Sequence, residues 1–301
     1  MKPSVEPRVS SWHDVVYHVL AHVPVPASDA SSLFDEAYVR WSERALGAAG
    51  LRAGKVPRTL VLDAPLLASL YAASRQGFLL HAWPLLWDDA ESFLRDMPAD
   101  LGAVEWADAG RARLAESIRG NTAPALPDLL RTALWSELVN GYEAAWRRVV
   151  GPRSEAYRQE FARLVGDVAA RLPELRGFQW VLCHPLRWHG RLLEREGAPP
   201  VIAVGVADAE LGVPPWHPVL QGCHECFVGQ ARRAAADDAP WATVPGRPGH
   251  AAFQAVENAA LALGARFFLG SPWEAAYFDW LRRLFPGEPP EGAARRLAAG
   301  T

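Results

Sequence analysis

The stretch FQWVLCHPLRWHGRLLEREGAPPVIAVGV, residues 178–206, decides the predicted fold, because the chain changes there from a helical to a strand-rich pattern. Residues 178–183 and 200–206 are rich in β-branched and aromatic side chains and predict two strands. Residues 186–193, between them, predict a third strand. We therefore expect a small, mostly antiparallel sheet in the C-terminal half of the chain.

Helical patterns precede this sheet. Residues 11–23 repeat valine at helical spacing and predict a first helix. Further short helices are predicted at residues 32–46, 63–74 and 88–97. The expected fold is therefore an α-rich α+β protein with a helical N-terminal half. Its predicted division is a helical region at 1–125 and a second region at 126–301, or one continuous domain.

Long helices flank the sheet on both sides in the sequence. Pro127 suits the first turn of a long helix with an apolar face that continues to Trp146, and the helix after it ends before Pro173. After the sheet, the chain predicts a helix from Pro218 onward and further packed helices near residues 250–268 and 273–285.

Composition excludes several classes of partner. The chain has 301 residues, 50% of them hydrophobic, and a formal net charge of -3, so a sizeable core is expected. Arginines are scattered, which argues against binding to nucleic acid or to an anionic membrane. No long apolar run or signal-like N-terminus is present, and the three cysteines form no disulfide framework. These features predict a cytoplasmic protein.

The tetrapeptide CHEC at residues 223–226 carries the clearest chemical pattern. Thiolates three residues apart can bind zinc or form a disulfide. Because each helical residue turns about 100°, Cys223 shares a stripe with Leu220 and Phe227 and faces the predicted core. A packing role for the cysteines is therefore favoured over a redox role, which needs an exposed thiol at the start of a helix.

The same tetrapeptide contains a His-Glu pair. In the zinc-protease motif H-E-x-x-H, two histidines one turn apart bind zinc and the glutamate takes a proton from the bound water. Here Glu225 is the candidate catalytic base and His224 a candidate metal ligand, but Val228 stands where the second histidine is required. Glu257, on the next long helix, is a candidate carboxylate ligand.

A second pair of histidines lies near the N-terminus. His18 and His22 are four residues apart, so both imidazoles lie on one face of the predicted first helix, at the edge of its valine stripe. If that helix packs against the helix of His224, the three histidines form a metal site with an open fourth position. Satisfied histidines at the boundary of the core are the alternative.

The leading hypothesis is a metal-binding protein that holds zinc or another divalent transition metal, either a metal-dependent hydrolase or a diverged relative of the zinc proteases. A non-catalytic helical scaffold, with a protein as its partner, is the first alternative. A thiol redox protein that uses Cys223 is the second. Trp188 and His189, near a strand that a proline interrupts, either line a cleft or simply follow strand alternation.

Overall fold

The computed structural model describes residues 5–22, 34–51, 85, 87, 89, 134–195, 198–235 and 250–300. Within these ranges one sheet is built from strands β1 (Arg8–Val9), β2 (Gln179–Leu182), β3 (Gly190–Arg195) and β4 (Ala198–Val204). Strands β2, β3 and β4 confirm the three predicted strands. β1 was not predicted, because a strand of two residues has no periodicity to detect.

The strand directions differ from the mostly antiparallel sheet expected from the sequence. The strand order is β1-β2-β4-β3, with β1 parallel to β2, β2 parallel to β4, and β3 antiparallel to β4. The chain reverses between β2 and β3 and again between β3 and β4. β4 therefore runs in the direction of β2 and pairs with it, so the sheet is mixed.

Helices dominate the described chain, which confirms the predicted α-rich α+β class. Six of the eight helices whose bounds lie in the described ranges match predicted segments, α3 covers the end of another predicted helix, and α8 was not predicted. No described helix combines the length and apolar character needed to span a bilayer. The helices are α1 (Ser11–Ala21), α2 (Glu36–Ala48), α3 (Tyr142–Arg148), α4 (Val150–Ala169), α5 (His217–Ala235), α6 (His250–Phe268), α7 (Glu274–Leu284) and α8 (Pro290–Ala299).

The long helix predicted from Pro127 to Trp146 is interrupted in its described part. Residues 134–139 are helical, the chain turns at 140–141, and α3 begins at Tyr142. Gly141 adopts φ 98°, a left-handed conformation that glycine tolerates and that ends a helix. Residues 127–133 lie outside the described ranges, as do the predicted helices at 63–74 and 88–97 apart from Asp89.

The sheet separates two hydrophobic cores. One face contributes Val181 and Ala203 to a core shared with α1, α2 and α3. The other face contributes Trp180 and Ile202 to a core shared with α4 and with α5–α8. Because successive strand residues point to opposite faces, the unbroken apolar runs of β2 and β4 are buried on both sides. α1 and α5 consequently belong to different cores.

Candidate functional site

Helix α5 carries the CHEC tetrapeptide and packs on β3 and β4. Cys223 and Cys226 are fully buried and form no disulfide. Burial raises the pKa of the Cys223 thiol well above its ordinary value and that of Cys226 to about 12. The helix begins at His217, well before Cys223. Both thiols therefore have the surroundings of packing residues, not those of an activated thiolate.

His224 and Glu257 lie together across the α5–α6 contact. Nε2 of His224 is 3.1 Å from Oε2 of Glu257, and the two side chains are 13% and 28% exposed. Burial disfavours the imidazolium, but the hydrogen bond and charge of Glu257 outweigh it and raise the pKa of His224 above 6.5. Burial likewise opposes ionisation of Glu257, yet its hydrogen bond with His224 lowers the pKa of that carboxyl below 4.5. The pair therefore favours an imidazolium–carboxylate contact.

Glu225 faces the edge strand β3. A Cβ atom on Gly190 would lie 2.8 Å from both Cγ and Oε1 of Glu225, so only glycine allows this close approach. Oε1 of Glu225 accepts a hydrogen bond of 3.2 Å from Gln221, whose own Oε1 accepts one of 3.4 Å from the indole of Trp280. Burial raises the pKa of Glu225 above its ordinary value. This glutamate therefore keeps its proton to a higher pH than Glu257 does.

These three titratable side chains open onto one cavity of about 870 Å³. Its walls are supplied by β3, α5, α6, α7 and α8. The volume of the cavity is in the range typical of sites for small molecules. Val228, at the position of the missing histidine, also lines it, and so do Trp188 and His189. The charged and aromatic lining residues, besides those named above, are Arg191, Arg232, Phe253, Arg283, Phe285 and Arg296.

His18 and His22 lie in the core on the other face of the sheet. Nδ1 of His18 is 3.0 Å from the hydroxyl of Tyr38, and Nδ1 of His22 donates to the His18 carbonyl at 2.7 Å. Nε2 of His22 is 3.1 Å from the hydroxyl of Ser42. Burial lowers the pKa of both imidazoles to about 3. Both are thus neutral histidines in the core. His22 is hydrogen-bonded at both ring nitrogens, whereas Nε2 of His18 has no hydrogen-bond partner among the described residues and lies 3.6 Å from Oε2 of Glu137.

The predicted three-histidine metal site is not formed by the described residues. His18 contacts Tyr38, Tyr142 and His22, whereas His224 contacts Glu257 and Trp280. In the described part of the chain, no three His, Cys, Asp or Glu side chains are grouped so that they could hold a metal ion. The physical reason is the sheet, which has α1 packed on one face and α5 on the other.

Sequence reasoning missed two sets of polar residues. The arginines of the cavity come from four different elements, and no local spacing connects them. A second buried network joins His184 to Asp208 at 2.8 Å and Asp208 to Arg153 at 2.7 Å. Oδ1 of Asp14 accepts a hydrogen bond of 2.9 Å from the backbone of His184. This network ties α1 and α4 to the loops after β2 and β4, and no sequence pattern marks it.

Comparison with known proteins adds no family to this description. No protein-family model, no curated protein and no solved structure matches the chain.

Proposed function

We propose that this protein is a general acid–base enzyme, of the hydrolase type, that acts on a small molecule in the cavity formed by β3 and α5–α8. The observation that carries the proposal is the convergence of His224, Glu257 and Glu225 on one wall of that cavity. Two neighbouring acids with different pKa values are the usual basis for separate acid and base roles.

The proposed roles follow from the hydrogen bonds. Glu257 accepts from Nε2 of His224 and so orients the ring. Nδ1 can then take a proton from substrate when the imidazole is neutral, and return it when the ring is an imidazolium. Burial raises the pKa of Glu225 and so favours its protonated form, in which the carboxyl can donate a proton to a leaving group. Gln221 and Gly190 fix the position of this carboxyl group.

A panel of p-nitrophenyl esters, phosphates and glycosides tests the proposal by release of the coloured product. We expect turnover by the wild type, and a loss of about 100-fold or more in His224→Gln and Glu225→Gln, since positioned acid–base groups typically contribute that much. Glu274→Gln is the control, because Glu274 lies on α7 outside the cavity lining. Equal turnover by wild type and His224→Gln contradicts the proposal.

A metal-dependent reaction is the second candidate. It is supported by the contact of His224 with Glu257, which are two of the ligand types that zinc accepts. Metal analysis of protein purified without a His-tag separates the two candidates. Stoichiometric zinc, iron or manganese in the wild type that is absent in His224→Ala favours the metal-dependent reaction, whereas turnover that is unchanged by a chelator favours the acid–base enzyme.

A further inference from the structure

The described lining of the cavity has an excess of positive charge within an acidic chain. Among the described residues, four arginines line it against the two glutamates Glu225 and Glu257, although the chain as a whole has a net charge of -3. Cations that gather in one concave site raise the local concentration of anions and favour their binding. The charge of the cavity therefore indicates the class of ligand.

Arg283 is the arginine best placed to bind such a ligand. Arg296 is paired with Glu288 at 2.7 Å, and Arg191 donates to the Gly190 carbonyl at 2.6 Å. The charges of Glu194, Glu225 and Glu257 already act on Arg232. In contrast, no carboxylate of the described residues lies within 4.0 Å of the Arg283 guanidinium, which sits 3.6 Å from the ring centre of Trp188. The charge of Asp279, four residues earlier on α7, acts on Arg283 without forming an ion pair with it. A ligand anion would form the direct ion pair that no described carboxylate forms with Arg283.

The aromatic walls beside Arg283 are held in place by neighbouring groups. Nε2 of His217 donates to the Trp188 carbonyl at 3.1 Å, and the His217 ring packs edge-on against the indole with centroids 4.7 Å apart. The indole of Trp280 donates to Gln221 and lies 5.5 Å from the His224 ring. The Arg283 guanidinium covers the ring of Trp188, and Trp280 is only 3% exposed, so these indoles position their neighbours. The apolar lining available to a ligand is half-buried and consists of Leu192, Phe253, Leu261 and Phe285.

We infer that the cavity binds an organic anion with an apolar body, with its carboxylate or phosphate group at Arg283 and its body against Leu192, Phe253, Leu261 and Phe285. The inference deepens the proposed function, because His224 and Glu225 would act on a ligand bound in this way. Binding of the anion can nevertheless be measured even if the protein turns over no substrate.

Two matched pairs of probes test the inference by isothermal titration calorimetry. The pairs are 2-naphthoate with 2-naphthamide, and 2-naphthyl phosphate with 2-naphthol. We expect each anion to bind at least about tenfold more tightly than its neutral partner, because a charge-assisted hydrogen bond contributes more than a neutral one. A preference between the two anions identifies the charged group as a carboxylate or a phosphate.

Substitution of Arg283 locates the binding site. Arg283→Gln is expected to weaken the binding of the preferred anion about 5- to 30-fold and to leave the neutral partner unchanged, with Arg283→Lys in between. Arg282→Gln is the matched control, because Arg282 is the neighbouring residue, is paired with Asp279 and lies outside the cavity lining. Equal loss in the Arg282 and Arg283 variants overturns the inference.

The outcomes separate this inference from the proposed function. If neither anion binds, or the neutral partners bind as tightly, the inference fails whatever the turnover assay shows. If an anion binds through Arg283 but no substrate of the panel is turned over, the inference stands and the proposed enzyme activity is contradicted.

Discussion

Glutamine substitutions of His224 and Glu257, made singly and together, measure the free energy that couples these two side chains. Their N–O distance is 3.1 Å, and both side chains are mostly buried. A charge pair about 4 Å apart contributes about 1 kcal/mol in bulk water and about 4 kcal/mol near a protein surface. Because both groups retain some exposure to solvent, we expect a coupling free energy of about 1–3 kcal/mol.

The coupling is expected to depend on pH with a defined sign. Glu257 raises the pKa of His224 above 6.5 against the effect of burial, so this stabilisation is complete below pH 6.5 and is lost as the pH rises through the folded-state value. The hydrogen bond to His224 lowers the pKa of Glu257 below 4.5, so its stabilisation is complete above pH 4.5 and is lost as the pH falls through the lower folded-state value. The coupling is therefore largest between pH 4.5 and 6.5.

Urea unfolding of the four variants in the cycle, followed by tryptophan fluorescence and circular dichroism, gives the coupling free energy at about pH 5.5 and about pH 9. Once the rise in pH has removed the proton from the imidazolium, only a hydrogen bond from neutral imidazole remains, worth about 1 kcal/mol. The exposed pair of Arg282 with Asp279 is the control, with an expected coupling of about 0.5 kcal/mol or less. Equal coupling of His224 with Glu257 at both pH values refutes the charge-pair argument.

Three further predictions concern packing, buried charge and thiol reactivity. Gly222→Ala should lower the free energy of unfolding by about 1–3 kcal/mol, because the new Cβ would lie 2.4 Å from the ring of Trp180. Gly166→Ala is the control: no atom outside its own helical turn lies within 4 Å of the new Cβ, so this change should be neutral or stabilising in the same urea assay. Burial raises the pKa of Glu137 from 4.5 to about 7, so between these pH values the folded state retains a proton that the unfolded state loses. The free energy of unfolding should therefore fall by up to roughly 3 kcal/mol as the pH rises from 4.5 to 7. Glu137→Gln should reduce this fall, and an unchanged pH dependence in the variant would contradict the prediction. Native Cys223 should react with iodoacetamide far more slowly than the unfolded protein, and rapid native modification would favour the redox alternative.

Helices and strands with a regular pattern could be predicted from the sequence. The valine stripe of α1, the apolar runs of β2 and β4, and the helix at residues 250–268 are local features, because each depends on side chains within a few turns or pleats. Gly141 shows where such reasoning fails. The apolar spacing continues through it, yet the left-handed backbone at this glycine ends the helix.

The sequence by itself determined the α-rich α+β class, the buried stripe of Cys223, and His224, Glu225 and Glu257 as candidate site residues. Only the tertiary structure decided that His224 meets Glu257 and not His18 or His22, because the sheet lies between the cores of α1 and α5. Which face of the sheet each helix covers depends on how the chain connects the strands and helices, whereas the alternation of side chains along β4 is the same in either case. The arginines of the cavity likewise meet only through packing, since separate elements far apart in the chain supply them.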